Sequence, residues 1–176
     1  MDTDIKGWID EELWKKIQKI IPIVTIDVLP INKIEGDGIT RVGLILRETA
    51  DEGKKWCFIG GRLLYGEKVW DGVHRQIRIT LGDSVSISIN DVHQQPLYVA
   101  QYFSYEDSEF LRDPRQHSIG LTYVLNLEGE AKPRDEALDF KWFSLDALPK
   151  NDQFGFNHNK LLSKCLKLLK LEYIMS

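Results

Sequence analysis

Hydrophobic positions recur with a helical period in three segments of the chain. In residues 10–21 apolar side chains return every three or four positions, and Pro22 ends the pattern. Within residues 60–83 an apolar residue recurs every fourth position, as on one buried helix face. Residues 158–175 place leucines mostly on one side and lysines on the other. The pattern therefore predicts an N-terminal helix, a central loop and helix that follow a glycine turn at Gly60 and Gly61, and a C-terminal helix.

Short apolar or alternating runs between these helices predict strands. They comprise residues 23–29, 42–47, 56–59, 85–89, 97–103, 119–127 and 139–143. The first run is nearly continuous, which is typical of a strand buried on both faces. Strands before and after a central helix, with another helix at the end, predict an α/β fold. We expect an α/β/α sandwich with a central mixed sheet, in one domain spanning residues 1–176.

Two polar features stand out within this pattern. Asp27 interrupts the first apolar strand, and a carboxylate there needs a partner or a polar cleft. A role in a site and a structural hydrogen bond to a neighbouring loop both explain it. The stretch 106–116 holds charges, a proline and no period, which indicates a loop. Its length within a compact domain suggests a lid or a binding loop.

Composition narrows the class of protein. The 176 residues are 43% hydrophobic and 28% charged, as in an ordinary globular protein. The formal charge of −4 gives no long-range attraction for nucleic acid, so we expect no nucleic-acid partner. The acidic N-terminus has no apolar core, and no run of about 18 apolar residues follows, so we expect no signal peptide, no membrane partner and a cytoplasmic location. Cys57 and Cys165 lie in apolar patterns, which predicts buried thiols.

The spacing of polar residues around the central helix is more specific than its hydrophobic period. Gly61 is followed after five residues by Glu67, after seven more by Arg75, and after six more by Gly82. This is the skeleton of the Nudix box, so the segment resembles the Nudix hydrolases of nucleoside diphosphate derivatives. The resemblance implies the Nudix fold, and it implies that Glu67 and Arg75 brace the loop and the helix rather than react.

The carboxylates of the box are missing from this sequence. Family members hold Mg²⁺ with glutamates on one helix face, because a hard dication needs anionic oxygen ligands. The corresponding positions here are Gln76, Ile79 and Thr80. As a metal ligand, Gln76 offers one amide carbonyl and Thr80 offers one hydroxyl, while Ile79 offers none. The helix therefore does not encode the usual metal cluster.

Outside the box the chain is most similar to the GDP-mannose mannosyl hydrolases, a Nudix subfamily. That subfamily has also lost the first two box glutamates. The similarity rests on an early strand aspartate, an arginine ending the second strand, a tryptophan before the box, a late aromatic and a closing motif. These are Asp27, Arg47, Trp56, Tyr123 and residues 139–148.

The resemblance implies a nucleotide sugar such as GDP-mannose as substrate, with release of sugar and nucleoside diphosphate. Arg47 and Arg62 would contact the diphosphate beside Gly60 and Gly61, since a guanidinium presents a planar donor fork to phosphate. Asp27 would orient the sugar. These three charged residues are the implied catalytic set.

Three further implications concern the metal, the aromatic residue and the base. Mg²⁺, or Mn²⁺ in its place, would be held by Glu136, the Gly60 carbonyl and ligand phosphates. Tyr123 would belong to the substrate site or to the core. The family's general base falls on Ala137, which cannot accept a proton. Other candidate bases are His117 and His158. The sequence spacing places neither of them in the site, and we expect both to be solvated.

Two other functions are compatible with these departures. One is a catalytically silent Nudix domain that binds a nucleotide or mediates assembly. The other is a conventional pyrophosphohydrolase that uses acids of the long loop, namely Glu106, Asp107 and Glu109. The apolar stripes of the two terminal helices also make a homodimer plausible.

Overall fold

A computed structural model describes residues 9–34, 38–88, 94–105 and 111–175. The elements in chain order are α1 (Glu11–Ile20), β1 (Ile23–Ile34), β2 (Gly38–Glu48), β3 (Lys54–Cys57), β4 (Ile59–Arg62), α2 (Val69–Leu81), β5 (Ser86–Ile87), β6 (Tyr98–Phe103), β7 (Leu111–Arg112), β8 (Ser118–Glu128), β9 (Asp139–Ser144) and α3 (His158–Met175). A 3-10 turn at Asn151–Gln153 precedes α3.

The strands form a mixed sheet around β1. Along the main path the order is β3-β2-β1-β8-β6-β7, while β4 pairs with β1, β5 with β8 and β9 with β2. β1 runs parallel to β8 on one edge. On its other edge, β4 pairs with the first half of β1 and β2 pairs with the second half, both antiparallel. The sheet therefore splits beside the first half of β1, where the pocket described below opens.

Helices cover both faces of this sheet. Successive strand residues point to opposite faces. On one face, Ile26 lies against α2, because a side chain at Gly72 would meet Ile26 Cδ1 at 2.6 Å. On the other face, Asp27 is hydrogen-bonded to Tyr102, which also contacts His158 at the start of α3. The α/β/α arrangement predicted from the element order is therefore present.

The central helix begins and ends close to its predicted bounds. Its apolar stripe is buried at Val73, Ile77 and Leu81. Gly82 closes the helix at a φ of 95°, which a residue with a Cβ rarely adopts, and its backbone N–H donates to the Arg78 carbonyl. The helical period and the closing glycine were sufficient to locate this element.

Gly60 and Gly61 do not form the turn that the sequence suggests. They lie inside β4, where Gly60 pairs with Asp27 and Gly61 pairs with Ile26. A side chain at Gly60 would meet the Asp27 carboxylate at 2.9 Å, and one at Gly61 would meet the Gln76 amide at 2.5 Å. These glycines are required because polar side chains approach the strand on both faces.

The N-terminal helix also differs from its prediction. The bounds agree, with Asp10 as the N-cap, but no residue of α1 is buried. Leu13 and Ile20 are 45% and 76% exposed, so the apolar stripe is not core. The half-buried side of the helix consists of Trp14, Ile17 and Gln18, and Trp14 contacts Arg62. The homodimer suggested by this stripe stays a prediction.

Several smaller differences concern strands and loops. β1 continues through Pro30, whose fixed φ is compatible with a strand. The predicted loop 106–116 contains the short strand β7, which pairs in parallel with β6. Residues 106–110, which include the three loop acids, lie outside the described residues, as do 35–37 and 89–93.

The remaining global predictions concern the thiols and the membrane. Both cysteines are buried as expected, and burial raises the pKa of each thiol to about 12. In the part of the chain that the structure describes, no helix is long and apolar enough to cross a membrane.

Candidate functional site

A pocket of about 310 Å³ opens at the split in the sheet, between β1, β4 and the start of α3. Its volume is within the range of small-molecule sites. Four arginines line it: Arg47, Arg62, Arg75 and Arg115. Four acidic residues also line it: Asp27, Asp113, Asp135 and Glu136. The wall of the pocket therefore carries charges of both signs.

Two of the arginines are paired with carboxylates, and both lie over one aromatic ring. Arg47 Nη1 lies 2.8 Å from Glu136 Oε2, and Arg115 Nε lies 2.8 Å from Asp113 Oδ1. The two guanidinium carbons lie 5.5 and 5.3 Å from the centre of the Phe156 ring. These contacts hold both guanidinium groups at the pocket wall.

Arg62 lies against a different aromatic ring. Its guanidinium lies over the Trp14 ring of α1, 4.2 Å from the ring centre. Burial, and then the neighbouring charge of Arg75, lower the pKa of Arg62. A guanidinium remains protonated in such a setting. Arg62 therefore brings a positive charge to the pocket wall, where it would attract an anionic group.

Glu67 and Arg75 connect α2 to the segment that follows β4. Arg75 Nε and Nη2 donate to the Glu67 carboxylate at 2.6 and 2.8 Å, and Nη2 also donates to the Arg62 carbonyl at 3.0 Å. The Leu64 N–H donates to Glu67 at 3.0 Å. The hydrogen bond from Arg75 is the largest cause that lowers the pKa of Glu67. This geometry holds Arg62 in place beside the pocket.

Asp27 lies at the floor of the pocket and is 7% exposed. Gly60 and Gly120 flank its carboxylate, and a side chain at either position would overlap an oxygen of Asp27. Tyr102 donates a hydrogen bond to Oδ2 at 2.9 Å. Burial raises the pKa of Asp27 to about 7, against the lowering effect of the Tyr102 hydrogen bond.

His158 was expected to be solvated and is instead buried, with 4% exposure. Its Nδ1 accepts from the Phe58 N–H at 3.0 Å, and its Nε2 lies 3.1 Å from the Tyr102 hydroxyl. His158 and Tyr102 were not assigned to the site from the sequence. For Tyr102, the alternating pattern of its strand predicted only which face of the sheet it lies on. No local sequence signal linked His158 to Tyr102.

Three non-glycine residues of the described chain have positive φ, and all three adjoin the pocket. They are Asp135, Phe156 and Asn157, with φ of 57° to 58°. Asp135 precedes Glu136 in the chain, and the other two precede His158. Backbone in this region is uncommon for residues with a Cβ and occurs preferentially at functional sites. Backbone conformation therefore supports the same location.

The donor set does not fit the metal centre that the resemblance implies. Gln76 and Ile79 line the pocket, but Thr80 is 1% exposed and lies outside it. Glu136 is engaged by Arg47, and burial raises the pKa of its carboxyl group. Within the described ranges, no three His, Cys, Asp or Glu side chains form a group that could hold a metal ion.

Two residues considered from the sequence lie away from the pocket. Tyr123 is 2% exposed and packs against Trp70 of α2, with ring centres 5.8 Å apart. It belongs to the core, on the sheet face opposite Asp27. His117 stacks on Phe103 at 4.6 Å and does not line the pocket.

Comparison with solved structures identifies the fold. A "possible asymmetric diadenosine tetraphosphate (Ap4A) hydrolase" from Jonesia denitrificans is 26% identical, with a TM-score of 0.76 over 86% of this chain and 97% of that chain. A MutT Nudix hydrolase from Burkholderia pseudomallei is 23% identical, with a TM-score of 0.56 over 74% and 88% of the two chains.

A third structure is a bifunctional NMN adenylyltransferase/ADP ribose pyrophosphatase from Francisella tularensis, complexed with AMP and a manganese ion. It is 20% identical, with a TM-score of 0.65 over 90% of this chain and 45% of that chain. These similarities confirm the predicted Nudix fold. No protein of curated function matches the chain.

A family model described as "Domain of unknown function (DUF4916)" matches residues 4–169. The match covers most of the chain, including every residue that lines the pocket. The protein belongs to the DUF4916 family and has the Nudix fold.

Proposed function

We propose that the pocket binds the diphosphate of a nucleotide sugar, with a GDP-mannose-like compound as the specific candidate, and hydrolyses the bond between sugar and diphosphate. The observation that carries this proposal is that Arg47 and Arg62 line one pocket together with Asp27. A diphosphate needs cationic donors, and a sugar hydroxyl or a water molecule needs an acceptor. The pocket supplies both within about 310 Å³.

The arginines stabilise the leaving group in this reaction. Water attacks the sugar carbon, and the carbon–oxygen bond to the diphosphate breaks. The electron pair goes to the departing phosphate oxygen, where negative charge develops between Arg47 and Arg62. Fixed guanidinium groups at that point lower the barrier, because they need no reorganisation as the charge appears. Gly60 and Gly61 line the same pocket, where their backbone would lie beside the diphosphate.

The proposed mechanism contains no metal-dependent step. The resemblance implies Mg²⁺ or Mn²⁺, and similar structures include one with manganese. The carboxylate ligands of the box are replaced by Gln76 and Thr80, and Glu136 is paired with Arg47. We therefore infer that arginines perform the charge neutralisation that a dication provides elsewhere.

A product assay tests this function. GDP-, ADP- and UDP-sugars, ADP-ribose and diadenosine tetraphosphate are incubated in ¹⁸O-labelled water with Mg²⁺, with Mn²⁺ and with chelator. The expected result is label in a free sugar, unlabelled nucleoside diphosphate, and less than about a threefold loss of rate with chelator. Label in a nucleoside monophosphate or a sugar phosphate means attack at phosphorus and contradicts the proposal.

A second candidate is a catalytically silent domain that binds the same class of ligand. The replacement of two box carboxylates by Ile79 and Thr80 favours it. In that case calorimetry should detect binding of these compounds, while the product assay should detect no turnover with Mg²⁺, with Mn²⁺ or with chelator. The arginine pocket remains the binding site.

A further inference from the structure

We propose that Asp27 is the general base of this hydrolysis, and that Tyr102 and His158 are positioning residues that hold its carboxylate toward the reacting water. The inference rests on the proposed function and adds the residue that takes the proton. The position equivalent to the usual base is Ala137, which is 6% exposed and has no proton acceptor in its side chain. The reaction therefore needs a base from another element.

The fold places Asp27 where such a base must be. It lies in the middle of the hydrogen-bonded part of β1, paired with Gly60 on one side and Thr122 on the other. Because Gly60 and Gly120 have no side chains, the neighbouring strands leave space for the Asp27 carboxylate. The same pocket contains the two arginines assigned to the diphosphate. Asp27 is thus a fixed acceptor beside the proposed leaving group.

A directional chain of hydrogen bonds ends on the carboxylate. The Phe58 backbone N–H can only donate, so His158 Nδ1 is the acceptor in that contact. In the neutral ring the hydrogen must then be on Nε2, which donates to the Tyr102 oxygen. The Tyr102 hydroxyl is left with its own hydrogen to donate to Asp27 Oδ2. Each hydrogen bond in this chain therefore has only one possible donor and one possible acceptor.

This chain also excludes His158 as the base. Its Nδ1 is occupied by a backbone N–H and its Nε2 carries the hydrogen directed at Tyr102. Burial lowers the pKa of His158 to about 3, so the ring stays neutral at ordinary pH. His158 therefore orients Tyr102, and Tyr102 orients Asp27.

The burial of Asp27, more than the charges around it, determines its affinity for a proton. The titratable and charged groups that face it are Tyr102 on β6, His158 and Cys165 on α3, Asp113 after β7, and the pocket arginines Arg47, Arg62 and Arg115. Burial is the largest cause that raises the pKa of Asp27 to about 7, and the Tyr102 hydrogen bond opposes it. A base whose pKa lies near the working pH suits proton transfer.

The proton balance of the step is simple. Asp27 takes one proton from the attacking water as the new carbon–oxygen bond forms. The bond to the diphosphate breaks in the same displacement, and the released nucleoside diphosphate keeps the electron pair. Asp27 then returns the proton to solvent water. No other reactant is needed.

The first test replaces the base itself. Asp27→Asn is expected to lower kcat by at least about 100-fold, the usual contribution of a general base, while the affinity for the nucleotide sugar changes less than about threefold. Circular dichroism and thermal unfolding check that the variant folds. Full turnover by Asp27→Asn overturns this inference but leaves the proposed function intact. Absence of turnover by the wild-type protein overturns both.

The second test separates positioning from simple packing. Tyr102→Phe removes the hydrogen bond that stabilises the ionised carboxylate. The acid limb of kcat/KM, expected near pH 7 in the wild type, should therefore move up by about one half to one pH unit. His158→Phe should move it in the same direction. Tyr98→Phe removes a hydroxyl from the same strand, β6, outside this chain of hydrogen bonds, and is the matched control.

These outcomes decide the role of the two partners. A shifted acid limb in Tyr102→Phe and an unchanged limb in Tyr98→Phe support positioning. A Tyr102→Phe variant with lower stability but an unmoved acid limb shows a purely structural role and overturns that part of the inference.

Discussion

Replacement of Arg62 by Ala is expected to weaken the binding of a nucleoside diphosphate sugar by about 100-fold. Arg62 lines the pocket, and its guanidinium stays protonated, so it can bind an anionic group there. A guanidinium that makes two charge-assisted hydrogen bonds to phosphate contributes about 3 kcal/mol, which corresponds to that factor. Isothermal titration calorimetry with a GDP-sugar measures the change directly.

Two other variants make the Arg62 result interpretable. Arg62→Lys keeps the charge but loses the planar fork, so we expect an intermediate affinity. Arg41→Ala removes an exposed arginine from β2 outside the pocket and should leave the affinity unchanged. Equal affinity of the wild type and Arg62→Ala would show that the diphosphate does not bind in this part of the pocket.

Glu67→Gln is expected to destabilise the protein by about 3 kcal/mol, because it leaves the Arg75 charge largely buried without its carboxylate. The two side chains are only 13% and 16% exposed, and their ion pair is joined by hydrogen bonds to two backbone groups. Denaturation by urea, followed by circular dichroism, measures the free energy of unfolding.

An exposed ion pair provides the control for Glu67. Glu11 and Lys15 of α1 are 78% and 65% exposed, so Glu11→Gln should leave the free energy of unfolding nearly unchanged. The pKa of Glu67 is lowered below its ordinary value of 4.5 in the folded protein. Its stabilising contribution is therefore present above pH 4.5 and is lost as the pH falls through the folded pKa. A Glu67→Gln variant as stable as the wild type at pH 7 would contradict the bracing role.

The fold was predictable because its signals are local. The central helix is identified by apolar residues at every fourth position from Val69 to Leu81 and by the glycine that closes it. Its family is indicated by the spacing from Gly61 through Glu67 to Arg75. All of these signals lie in one short segment. Strand runs predicted the mixed sheet. The exposure of α1 was not predictable, because an apolar stripe does not show whether another surface covers it.

The site was only partly predictable because it is assembled from distant residues. Asp27 could be named because it interrupts an apolar strand, and Arg47 and Arg62 could be named because the family resemblance implies that they contact a diphosphate. Tyr102 is 75 residues from Asp27 along the chain, and 56 residues separate Tyr102 from His158. Periodicity does not encode pairings at such separations.

The same limit explains the misassignment of the glycine pair. A turn and a close approach of side chains both require glycine, and the sequence does not distinguish them. Gly60 and Gly61 serve the second purpose, since they make room for Asp27 on one face of β4 and for Gln76 on the other. The residues that need the space lie on β1 and α2.

A crystal structure of the protein with a bound GDP-sugar is the most direct test of the central claim, that this pocket recognises a nucleoside diphosphate derivative. We predict that diphosphate oxygens lie within about 3.2 Å of nitrogen atoms of both Arg47 and Arg62, a hydrogen-bonding distance. The sugar carbon should face Asp27. A diphosphate located elsewhere, for example against His74 and Arg78 on the outer side of α2, would contradict the account.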